Sequence, residues 1–236
     1  MIAVKYSSIL AGVKDLAGIP AADTLVQRAL LRGLISRRIH NIWQQTFWPM
    51  ISKWEERTVT ADAVNGDHIL LTEAGLDTID AIEAVRDGNP FLGSTTANIA
   101  WRKMHLGYTV TAGYATVWAF YRKLKPRLEG DSYSVTTTYA IGDQVYSPTE
   151  GDFFDCIAVT TGDAVTDAAY WTRIEIPLEF EPYLVNGAYA DYLRNDGQEE
   201  KSVAIAEIPA KQALKHALFV LKAAQGHQTK PRIRTY

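Results

Sequence analysis

The sequence predicts an α+β fold in which N- and C-terminal helices pack as a bundle around a central β-strand domain carrying a small β insert. Three observations predict it. Apolar residues recur at helical spacing near both ends of the 236-residue chain. The middle holds short runs of β-branched and aromatic residues. A Thr/Ser/Tyr-rich stretch then brings three Gly-Asp turns, at Gly142-Asp143, Gly151-Asp152 and Gly162-Asp163. Helices first, strands next and helices last is the order of an α+β chain whose ends meet.

From the N-terminus, Ser7 or Ser8 is placed to cap a short helix through Leu16, stopped by Gly18 ahead of Pro20. Asp23 or Thr24 caps a second helix that is expected to run to Trp48-Pro49, where proline disfavours further helix. Leu25, Val26, Leu30, Leu34, Ile35, Ile39, Ile42, Trp43 and Phe47 make this helix apolar nearly all round, which predicts packing on several sides. Strands are expected at 57–61, 68–72 and 116–122, the first two joined by a turn at Asn65-Gly66-Asp67. Residues 78–85 suit either a helix or a strand, and Asn89-Pro90 and Gly113 are breaks. The stretch 134–176 reads as an inserted β module, since about 40 residues form only a weak core alone. The domain expectation is therefore a body of 1–133 with 177–236, and a module of 134–176. Beyond it, Pro182 suits a first helical turn, Gly197 a left-handed helix end, and Pro209 a kink or the start of a new segment in a last helix over 198–225.

The net charge of −3 conceals strong segregation of sign. Residues 24–54 hold five bases and no acid, and 62–91 hold seven acids against Arg86. Residues 101–127 carry six unopposed bases. Between 129 and 200, fifteen acids face only Arg173 and Arg194, a net of −13, and 201–236 returns to +6. Alternating blocks suit complementary contacts with copies or partners, unless they interleave in space and cancel.

Composition and motifs narrow the chemistry. No apolar run reaches the roughly 18–20 residues that span a bilayer, and the N-terminus lacks a secretory signal pattern. The single Cys156 forms no internal disulfide, which fits synthesis inside a cell. None of His40, His68, His105, His216 and His227 lies in a metal-ligand spacing. Phosphate-binding glycine loops and the nucleophile elbow of hydrolases are missing from the sequence. Glu55-Glu56 and Glu199-Glu200 read as dipole partners on solvated helix starts, and Cys156 as a small buried group in an alternating strand. The expectation is a protein that is not an enzyme and takes no cofactor or metal. Trp43, Trp48 and Trp54 with Phe47 form a dense aromatic group that suits a core or an interface core. Aromatics mixed with Arg and Lys are also what single-stranded nucleic acid stacks on, although here no stacking platform accompanies them.

Two stretches resemble known families. Residues 180–198 (FEPYLVNGAYADYLRNDGQ), the strand 116–122 followed by Pro126, and the Arg-rich helix leading into Trp43 and Trp48 resemble the neck proteins of tailed bacteriophages. These are the head–tail connectors, or adaptors. The second stretch has Tyr139-Ala140-Ile141-Gly142-Asp143-Gln144-Val145-Tyr146, then 153–157 (FFDCI), Gly162 and Trp171. It is similar to small chitinase-associated carbohydrate-binding modules, whose exposed aromatics stack on sugars. Ser147-Pro148-Thr149-Glu150 stands where those modules have glycine and an aromatic.

The first resemblance implies a structural virion protein. It would form a homo-oligomeric ring, commonly of twelve copies, that joins the portal to the tail and extends the double-stranded DNA channel without sequence-specific binding. It would be made in the host cytoplasm and reside in the neck, beside the portal and other neck or tail proteins. Arg28, Arg32, Trp43, Trp48, Arg232 and Arg234 are the candidate subunit or portal contacts, and Tyr139, Tyr146 and Trp171 the candidate module aromatics. A tail or baseplate component with a glycan-binding insert, and a polysaccharide-binding accessory module, are the alternatives.

Overall fold

The computed structural model describes residues 2–20, 24–61, 66–70, 72–73, 76–77, 79–92, 96–104, 107–111 and 113–226. The fold is α+β, with helices toward both ends and several small sheets between them. It divides into two compact units, one of Trp43–Ile174 and one of Ile2–Ile42 with the chain from Glu175 onward.

In the helical unit, β1 (Ala3–Val4) pairs antiparallel with β16 (Ile176–Pro177), which joins the start of the chain to its last third. Helix α1 (Tyr6–Ala17) follows and buries Tyr6, Ile9 and Val13 along one stripe. It starts at Lys5 with no side-chain cap, so Ser7 and Ser8 lie inside it rather than before it. Gly18, at φ 66°, closes it in the left-handed conformation. Helix α2 (Leu25–Trp43) opens with a reciprocal cap: Gln27 N–H donates to Thr24 Oγ1, and Thr24 N–H donates to Gln27 Oε1. It ends well short of Pro49 and is not apolar all round, contrary to expectation. Leu31, Leu34, Ile35, Arg38, Ile39 and Ile42 are buried, whereas Leu25 and Val26 are 81% and 78% exposed.

The helix enclosed on most sides is instead α3 (Glu181–Asn195), which buries Tyr183, Leu184, Gly187, Ala188, Tyr189, Ala190, Asp191 and Leu193. Pro182 sits in its first turn, and Gly197 takes φ 75° just beyond its end. Helices α1 and α5 (Ile208–Gly226) both pack on α3. At Gly12 a Cβ would lie 3.1 Å from Val185, so the glycine lets α1 approach α3 closely. Between α4 (Glu199–Ser202) and α5 the chain makes a π-helical turn, Val203–Glu207. Pro209 stands two residues on, in the first turn of α5, so it starts a new segment, one of the two outcomes expected of it.

The other unit is built of strands. A three-stranded antiparallel sheet has β9 (Thr116–Lys123) between β2 (Ser52–Thr58) and β6 (Ile79–Arg86), which settles the ambiguous stretch as strand. Val117, Ala119 and Tyr121 on one face of β9 enter a core with Ile82, Val85, Ile69 and Tyr108. A second sheet has β8 (Gly107–Val110) between β3 (His68–Leu70) and β7 (Trp101–Lys103). The hairpin expected between 57–61 and 68–72 is reduced to one bridge, Thr60 to His68, because β2 pairs with β9 and β3 with β8. Asn65 of its turn lies outside the described residues.

The insert has its own four-stranded sheet, β10-β12-β13-β15, from Asp131–Ser132, Gln144–Ser147, Asp152–Cys156 and Trp171–Arg173. Its three Gly-Asp turns all form, with φ 92°, 72° and 88° at Gly142, Gly151 and Gly162. The sheet begins a few residues before the expected boundary. Gly130 is needed there, since a Cβ would come within 2.3 Å of the Gln144 carbonyl oxygen.

Candidate assembly surface

The inside of the helical unit is held by charge. Arg38, from α2, donates to both carboxylate oxygens of Asp191 on α3, from Nε at 2.8 Å and Nη2 at 2.6 Å. Nη2 also donates to Glu207 Oε2, in the π-helical turn, at 2.9 Å. Arg194 reaches the same two carboxylates at 3.3 Å, and the Arg38 guanidinium lies 5.9 Å from the centre of the Tyr183 ring. Gly187 makes room for this arginine, because a Cβ there would lie 2.9 Å from Arg38 Cδ. Burial works against the Arg38 charge, but the bonds to Asp191 and Glu207 outweigh it and hold its pKa above the ordinary value. Burial likewise pushes the Glu207 carboxyl up, and the Arg38 hydrogen bond with the surrounding cations holds it below the usual range. Such a network fixes how three segments meet, and truncating one member strands a buried charge.

The outside of the same unit exposes several apolar side chains, as Phe91, Leu92, Val135 and Val159 do in the other unit. Besides Leu25 and Val26, α5 exposes Phe219 (69%) and Val220 (51%), and the π-helical turn exposes Val203 and Ile205. Arg28 and Arg37 are exposed on α2, and Arg32 is half-buried. Asp196, Glu199 and Glu200 are exposed around the start of α4. This unit therefore combines large exposed aliphatics with basic and acidic patches at separate places.

The tryptophans chosen from sequence are placed differently. Trp43 is 3% exposed and its indole N–H donates to the Lys123 carbonyl, while Trp48 is fully buried. Both serve the packing of their own unit and are not surface contacts, which corrects that part of the expectation. Arg232 and Arg234 lie outside the described residues. In the insert, Tyr139 and Trp171 are buried and meet edge-to-face at 5.2 Å, with Trp171 N–H donating to the Asp163 carbonyl. Their rings keep no open face for a sugar. Tyr146 is half-buried and leans on Phe153 at 5.1 Å.

The strand unit carries a second cluster that sequence reasoning missed. Lys53, Glu55 and Arg57 alternate onto one face of β2 opposite Tyr121, whose hydroxyl donates to Glu55 Oε2 and accepts from Arg57. Burial would raise the Glu55 pKa, but Lys53, Tyr121 and Arg57 hold it low. The period-2 order Lys-x-Glu-x-Arg was the available signal. On the opposite face, Arg86 lies over the Trp54 ring at 5.1 Å and Phe120 stacks between Trp54 and Phe47. Glu55 and Glu56 thus occupy a strand rather than a helix start, and Glu56 accepts from Thr116 on the other face. Cys156 is buried in the insert core; burial pushes its thiol up, and it donates to the Ala158 carbonyl. Among the described residues no group of three His, Cys, Asp or Glu side chains could hold a metal, and no helix is long and apolar enough to cross a membrane. No protein-family model matches the sequence, and no curated protein matches it.

Proposed function

We propose that this chain is a structural protein of a tailed-phage neck, forming a ring that joins portal to tail and continues the DNA channel. One observation carries the reading: the helical unit leaves Leu25, Val26, Phe219 and Val220 more than half exposed beside charged patches. Apolar surface of this kind, rimmed by charge, marks a face that another protein covers. Of the segments that resemble neck proteins, 180–198 and the Arg-rich helix belong to this unit and the strand 116–122 to the other. In this reading the terminal helices form one bundle, repeated around a ring of about twelve copies, and the acidic insert faces outward. No catalytic step is required of it.

DNA must slide through such a ring, and a strongly basic lumen would retain phosphate. The basic blocks are therefore assigned mainly to protein contacts. Neutralising Arg28 and Arg32 together is expected to weaken ring or portal assembly more than DNA retention in filled heads. Intact rings with leaking heads would contradict that assignment. The reading as a whole is tested by negative-stain microscopy and native mass spectrometry of the purified chain across a concentration series. Closed rings are expected, and a monomer at every concentration would overturn it.

A further inference from the structure

We infer that the ring contact is heterologous: the exposed face of α2 in one copy docks on the acidic end of α3 and the turn after it in the next copy. This rests on the ring reading above and names the surfaces that make it. By helical spacing, Leu25, Val26, Ala29, Gly33 and Ser36 share the side of α2 opposite its buried stripe. Arg28 and Arg32 border that side on one edge and Arg37 on the other. The helix is otherwise well formed, yet Gly33 sits in its middle with nothing within 4 Å of where a Cβ would be. Glycine weakens a helix interior, and packing among the described residues gives no reason for it. Close approach by another backbone would supply one.

The occupant is read from charge. Residues 24–54 contain no acid, so two α2 faces brought together would set arginine against arginine. DNA would match the charge of the arginines but not Leu25 and Val26, which are about four-fifths exposed. The same unit offers a surface with the matching mixture: exposed Asp196, Glu200 and Glu199, the last also 3.4 Å from Arg194, beside Val203, which is 43% exposed. Val203 is four residues from Glu199 and three from Glu200, so the three share a face. Lys201 falls on the opposite side by the same spacing. Apolar meets apolar and base meets acid when one copy's α2 lies on this surface of another. Because the two surfaces differ, the contact repeats head-to-tail and closes into a ring where the rotation allows.

Charge reversal on the full-length chain tests this by native mass spectrometry. R28E/R32E and E199R/E200R are each expected to lose the ring. Mixing the two should restore rings in which the variants alternate, because the α2 face of each then finds its complement on the other. Combining all four reversals in one chain should restore the ring, which also shows that the reversed surfaces still fold. Rings that persist in either double variant would overturn this contact while leaving the ring reading intact, and so would a fourfold variant that stays monomeric. A wild-type chain that never forms a ring would instead remove the reading on which the inference rests.

Discussion

The insert and the helical unit are both small, and they solve the problem of a small core in opposite ways. The insert turns its largest aromatics inward: Tyr139, Phe154 and Trp171 meet Val145 and Cys156 in one closed cluster. The helical unit buries two carboxylates and an arginine and leaves Leu25, Val26 and Phe219 outside. A module that buries its aromatics is complete by itself. A unit with charge within and apolar side chains without presents an outer face that a partner could cover. The proposed assembly is assigned to the helices on this difference, although the insert also exposes Val135 and Val159.

Removing one member of the buried network should separate the regions most strongly. Asp191→Ala leaves Arg38 without its two-pronged partner and is expected to cost about 3–5 kcal/mol, read by urea unfolding. Trp171→Ala should remove a comparable amount, about 3–5 kcal/mol, as a cavity in the insert. Hydrogen exchange distinguishes the two, with D191A loosening α2 and α3 and W171A loosening β12, β13 and β15. If W171A instead loosened the helices, the insert would not be the self-contained core described above.

Acid gives a subtler separation. The Glu207 pKa is lower in the folded chain than the ordinary 4.5. Its contribution to stability is therefore complete above that value and is lost as pH falls toward the depressed one. Unfolding followed between neutral pH and pH about 3 should show this loss in wild type and a weaker pH dependence in E207Q. Equal pH dependence in the two proteins would place the acid sensitivity elsewhere.

The smallest effect is the most diagnostic of the outer face. Gly33→Ala meets open space, so it should stabilise the isolated chain by about 0.4–1 kcal/mol. The same change should weaken assembly. A variant that is both more stable and better assembled would remove Gly33 from the interface.

Much of the local structure was legible because it rests on local chemistry. The three Gly-Asp turns, the Gly18 and Gly197 helix ends, strand β9 and the Thr24 cap follow from residues within a few positions of one another. The errors lie where distant segments decide. The all-round apolar pattern assigned to α2 belongs to α3 in the fold, because Gly187, Ala188 and Ala190 count as small residues in sequence but as enclosed ones once α1, α5 and Arg38 pack around them. Arg38 was read as one of five bases in a block. Its partners are 153 and 169 residues away, and no local spacing announces them. Trp43 and Trp48 looked like contact residues because aromatic density is the same signal in a core and in an interface.

The central claim, that assembly belongs to the helical unit and not to the insert, is tested most directly by hydrogen exchange of the wild-type chain at low and high concentration. Protection that grows with concentration on the exposed turns of α2 and around 196–205, with β10, β12, β13 and β15 unchanged, is the expected result. Protection that grows on the insert while α2 stays unchanged would contradict it.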